Sequence, residues 1–90
     1  MKINTAITNT SVKNGSLGLE LNEITVTIDF RDGENFFGGQ VVLNSTEDNI
    51  NLQTSTEEIS NKAIEKAKNM ISNATIYTDD EGNQINTEEN

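Results

Sequence analysis

Between Lys13 and Asn44 the apolar residues alternate with polar ones, but the alternation changes parity part-way along. Leu17, Leu19 and Leu21 hold odd positions, whereas Ile24, Val26, Ile28 and Phe30 hold even ones, with Asn22 and Glu23 between the two sets. Side chains of a strand point to alternate faces with a period of two, so the pattern predicts half-buried β-structure. The change of parity predicts one extra residue, a β-bulge, near Asn22-Glu23. A tight turn there, cutting the run into two strands, is the competing reading. The bulge is preferred because Asn22-Glu23 lacks the glycine of the flanking turns.

Those turns are Asn14-Gly15 and Asp32-Gly33, dipeptides suited to the positive φ angles of a two-residue hairpin loop. They divide the first half of the chain into strands over about Lys2 to Lys13, Ser16 to Arg31 and Glu34 to Asn44. With Asp32-Gly33 as the loop, Arg31 faces Glu34, Ile28 faces Phe37, Val26 faces Gly39 and Ile24 faces Val41. The other face then carries Thr25, Thr27 and Asp29 against Gln40, Gly38 and Phe36, and reads as mostly solvated. In the first strand Ile3 and Ile7 are odd while Thr8, Thr10 and Val12 are even, the pattern of a polar edge strand. Ile50 and Leu52 alternate with polar residues over Asn49 to Gln53, suggesting a short fourth strand.

A helix follows. Ser55-Thr56-Glu57-Glu58 is a capping box, in which the serine hydroxyl and the glutamate carboxylate each accept from a free backbone N–H. Ile59, Ala63, Ile64, Ala67, Met70 and Ile71 then recur at helical spacing on one broad arc, predicting a helix over Thr56 to Ser72 that lies on a sheet. Beyond it, Thr75 to Thr78 reads as a short strand and Asp79 to Asn90 as a flexible tail with five acidic residues and no basic one. The expected fold class is α+β: an antiparallel meander of three to four strands with one α-helix packed on one face, a short C-terminal strand and an acidic tail. A single domain spans residues 1–78 and the tail 79–90.

Composition narrows the chemistry. The sequence contains neither cysteine nor histidine, removing disulfides, thiolate ligands, imidazole bases and the commonest zinc donors. A net charge of −9, with six scattered basic residues, argues against phosphate contacts and so against direct nucleic-acid binding. No signal-peptide run or membrane-length apolar stretch is present, which reads as a cytoplasmic protein with no membrane partner. Four Asn-x-Ser/Thr triplets, at Asn9, Asn14, Asn44 and Asn73, are a by-product of a chain rich in those residues. The bias toward Asn, Lys, Ile and Thr without proline has the flavour of an AT-rich bacterial, phage or mobile-element genome.

Candidate motifs are few. In Asp79 to Glu89, counting Gly82 as the sixth position of a calcium loop places Tyr77 first, which cannot ligate as the motif requires. No serine has lysine three residues on, so the hydroxyls lack both a lysine and an imidazole base. Gly38-Gly39 fits strand twist or a bulky neighbour better than a ligand loop. The expectation is therefore no catalysis, no cofactor and no metal, and a module that binds a protein partner or itself. In this register Phe36 points away from the helix side and, with Val42, Ile3 and Ile7, forms a contact patch, whereas a longer loop and a different register would bury it. The alternative is an acidic mimic of nucleic acid, inhibiting a DNA- or RNA-binding protein such as a nuclease through Glu20, Glu23, Asp29, Asp32 and Glu34.

Overall fold

The computed structural model describes residues 1–76, so the acidic tail and the boundary at residue 78 lie outside the described residues. Three strands, β1 (Lys2–Gly15), β2 (Gly18–Asp32) and β3 (Asn35–Asn44), form one antiparallel sheet in the order β1-β2-β3, followed by helix α1 (Thr56–Ser72). The class is α+β. Leu21, Ile24, Val26, Ile28 and Phe30 of β2 and Val41 and Leu43 of β3 form the core with Ile59, Ala63 and Ala67 of α1 and Ile50 of the intervening loop.

The parity switch is a bulge. Val12 pairs with Leu21 but Ser11 pairs with Glu23, so Asn22 has no partner residue in β1. Two of its polar groups nevertheless find partners: its side-chain amide donates to Ser11 Oγ at 3.2 Å and its carbonyl accepts from Ser45 N at 3.1 Å. A second bulge lies in β1, where Ile7 pairs with Val26 and Asn9 with Thr25, leaving Thr8 over. Thr8 Oγ1 donates to the Thr25 carbonyl at 3.4 Å. The two extra residues sit on opposite strands, so the second bulge cancels the register shift of the first.

Both hairpin turns differ from the expected loops. The first closes over Ser16 and Leu17, with Gly15 paired to Gly18; the second closes over Gly33 and Glu34, with Asp32 paired to Asn35. Asn49 is the one non-glycine residue with positive φ among those described, so in the second turn only Gly33, at φ 64°, is left-handed. Positive φ at the first central position alone is the pattern of a type II′ turn rather than type I′. The pairing moves by two residues: Ile28 faces Gly39, Val26 faces Val41 and Ile24 faces Leu43. The shift is even, so every side chain keeps its face. What favours this register is visible at the turn, where Phe30 stacks on its partner Phe37 with ring centroids 4.8 Å apart. On the other face the Arg31 guanidinium lies 4.3 Å from the ring centroid of its partner Phe36. Such contacts contribute about 0.5–1.5 kcal/mol each, and the expected register has neither.

The fourth strand expected over Asn49 to Gln53 is absent. Asn49 takes φ 55°, and Asn51 folds its side chain back to accept from Gln53 N at 2.8 Å, while Asn51 N donates to Thr54 Oγ1 at 2.8 Å. These local bonds compete with a ladder and win. Ile50 is still buried. The strand expected over Thr75 to Thr78 is not seen in its described part, since Thr75 and Ile76 are irregular.

Helix α1 starts where the capping signal places it, and the Ser55 hydroxyl accepts from Glu58 N at 3.1 Å. The Glu58 carboxylate does not return the bond; it lies 4.0 Å from Lys62. Ser60 hydrogen-bonds Thr5 of β1 at 2.9 Å and Lys66 reaches β3, so the helix crosses the sheet. Its 17 residues span about 25 Å, whereas the 15 residues of β2 span about 50 Å. One helix therefore covers only part of one face, and Met70 and Ile71 remain exposed.

The adjacent glycines of β3 respond differently to a side chain. A Cβ on Gly38 would meet the Ile28 carbonyl at 2.7 Å and the Asp29 carboxylate at 3.0 Å, whereas one on Gly39 meets nothing within 4 Å. Gly38→Ala is expected to lower stability by about 1–2 kcal/mol, and Gly39→Ala to leave it unchanged or raise it by about 0.5 kcal/mol. Chemical denaturation of both variants measures the difference.

Candidate functional site

Residues paired directly across an antiparallel sheet share a face, which sorts the expected site residues. Phe36 pairs with Arg31 and Val42 with Thr25, on the face opposite the helix. Ile3 pairs with Phe30 and Ile7 with Val26, on the helix side, where Ile3 packs against the core. The expected four-residue patch is thus divided between two faces. Within one chain even Phe36 and Val42 stand about 20 Å apart along β3, with Gly38 and Gln40 between them.

The five carboxylates of the mimic reading are likewise dispersed. Glu20, Glu23 and Asp29 lie on the open face, Asp32 shares the helix-side parity of Phe30, and Glu34 is in the turn. The same open face carries Lys2, Lys13 and Arg31, with Lys13 directly opposite Glu20. Three cations thus offset three carboxylates there, and the surface offers no row of one sign.

The open face is otherwise built from Asn4, Ala6, Asn9 and Ser11 of β1, Thr25 and Thr27 of β2, and Gln40 of β3. No described element packs on it. Phe36 is 54% exposed even under Arg31, and it is the largest apolar group this face presents. On the helix side, a cavity of about 230 Å³ opens between the end of α1 and the β2–β3 hairpin, lined by Phe30, Phe37, Gly39, Val41, Met70 and Ile71 among others. A larger depression of about 590 Å³ runs along α1 beside the 45–49 turn, past Glu47, Asp48, Glu65 and Lys66. Its most central charges are already committed to each other.

That commitment involves Lys66, which the sequence did not single out. Its ammonium donates to the Val42 carbonyl at 2.8 Å and to Asp48 Oδ2 at 3.1 Å, and the same carboxylate oxygen accepts from Asn44 N at 2.7 Å. Helix, turn and the end of β3 are tied at one point. The available signal was position: Lys66 precedes Ala67, a core residue, and so flanks the buried stripe. No family model, curated protein or solved structure matches this chain. Among the described residues no helix is long and apolar enough to cross a membrane.

Lys66→Met keeps the aliphatic stem but removes the donors, leaving Asp48 and the Val42 carbonyl without them. A loss of about 1–2 kcal/mol is expected, reduced at high salt because the pair is partly exposed. Thermal or urea unfolding at two ionic strengths measures both effects.

Proposed function

We propose that the chain is a non-catalytic module that binds a protein partner or a second copy of itself, acting in the cytoplasm through its sheet. The observation that carries this reading is the sheet face that no described element covers, where Phe36 stands half exposed beside Arg31 on a strand whose outer edge has no neighbour among the described residues. An aromatic ring next to arginine is a composition enriched at binding surfaces, and a free strand edge can accept an added strand. Origin in a phage or other mobile element belongs to the same proposal and rests on the residue bias alone. Mimicry of nucleic acid is the weaker alternative, because the open face balances its acids with Lys2, Lys13 and Arg31.

Affinity capture from the native host, repeated at low and high salt, separates the two. Phe36→Ala is expected to weaken partner recovery or self-association about tenfold, with little effect of salt. Replacing Glu20, Glu23 and Asp29 together with their amides is expected to change little. Steep salt dependence, competition by nucleic acid and a silent Phe36→Ala variant would instead favour the mimic.

A further inference from the structure

The two outer edges of the sheet are protected unequally. β1 carries Lys2 and Lys13 and is kinked by the bulge at Thr8, and edge lysines and bulges are devices that deter strand addition. β3, Asn-Phe-Phe-Gly-Gly-Gln-Val-Val-Leu-Asn, has no charged residue and no proline, and its pairing with β2 is unbroken. Lys66 occupies only its Val42 end. An edge that is long, regular, uncharged and flanked by apolar side chains is one that a folded protein covers.

We propose that a second copy of this chain covers it, through antiparallel pairing of β3 with β3 about a two-fold axis at Gly39, giving a six-stranded sheet with both helices on one side. The proposal rests on the self-association branch of the functional reading and names its surface. Directly opposed residues must share a face, so the two positions have to sum to an even number, and 78 centres the pairing on the strand. Phe37 then meets Val41 of the second copy on the helix side, and Phe36 meets Val42 of the second copy on the open face. The two apolar residues separated within one chain become neighbours across the axis. Aromatic and β-branched side chains are favourable cross-strand partners, and with no charge in β3 nothing repels at the axis.

The backbone agrees with this register. Lys66 reaches the Val42 carbonyl, so the hydrogen-bonding groups of Val42, and by alternation those of Gln40, Gly38 and Phe36, face outward. In the proposed register these are the residues that pair: Phe36 with Val42, and Gly38 with Gln40. Val42 keeps its bond to Lys66, because a carbonyl oxygen has two lone pairs. Gly39 meets its own counterpart, with free space on the side where a Cβ would stand.

The exposed apolar side chains set an upper bound on the area. Phe36, Phe37, Met70 and Ile71 are each 52–58% exposed, and Val42 is 36% exposed. At roughly 150 Å² for a whole side chain of this size, the five offer about 400 Å² per copy. Two copies supply at most about 800 Å² of apolar surface, hence at most roughly 1,300 Å² in all at the usual apolar share, at the lower end of the range of stable interfaces. The cavity beside Phe37 and Ile71 opens onto this junction.

The test is the oligomeric state of the full chain and of variants at Gly39, where a new Cβ meets nothing. Sedimentation is expected to show a dimer of the 9.9 kDa chain, and Gly39→Asp and Gly39→Lys are each expected to weaken it at least about tenfold by placing like charges face to face. Mixing the two variants should restore it, which a folding defect could not do. The sequence has no cysteine, so Gly39→Cys introduces a single thiol per chain. It should form an intermolecular disulfide, since opposed residues in a ladder have Cα atoms about 4.5–5.5 Å apart. A monomer overturns the proposal whether residues 77–90 or a foreign protein covers β3 in it, and so does a dimer indifferent to both charged variants. A monomer whose Phe36→Ala variant loses a foreign partner would leave the functional reading standing and this proposal refuted.

Discussion

A strand has a side-chain period of two, and β2 must present Leu21 and Ile24 to the same side of the sheet, so one residue between them has to leave the alternation. Asn22 does so, and much of the structure follows from that departure. An unpaired residue in one strand shifts the ladder by one position, and a sheet buried on one face cannot tolerate the shift over its whole length. The bulge at Thr8 on β1 restores it. Between the two lies a short stretch, Asn9 to Ser11, whose pairing is offset while the rows on either side keep a common register. Each extra residue is one whose side chain can bond across the strands, asparagine to Ser11 and threonine to the Thr25 carbonyl.

Sequence reasoning was most reliable where a periodic signal was long. Helix α1 and the bulge in β2 were both legible, the first from six apolar positions behind a cap, the second from seven alternating ones. The companion bulge left its own trace, since Ile7 and Thr10 differ in parity. The turns were less legible because Asn-Gly and Asp-Gly report where positive φ is available, not which loop position will use it. Side-chain pairing made that choice at the second turn, where Phe30 on Phe37 and Arg31 on Phe36 outweighed the dipeptide preference. The segment after β3 misled for the same kind of reason: Ile50 and Leu52 alternate, but Asn49 and Asn51 hold the backbone in local bonds.

The contact residues were harder to read than the fold. Phe36 and Val42 could be placed together on the open face because an even error in register leaves faces unchanged. Ile3 and Ile7 could not, since the face of β1 relative to β2 depends on a turn and a bulge whose positions the residues only approximate. The partners of Lys66 were invisible for a different reason: they are 18 and 24 residues away, beyond the reach of any helical spacing rule.

The order of elements also has a consequence in time. Spatial neighbours in this sheet are neighbours in sequence, so the meander is able to form by local steps as the chain is synthesised. Lys66 follows Val42 by 24 residues, which at about 5–20 residues per second is an interval of roughly one to five seconds. During that interval β3 can already be paired with β2 while Lys66 has yet to leave the ribosome. On a polysome, where several copies emerge side by side, the bare edge of one nascent sheet is then presented to its neighbours before the chain has any means of shielding it.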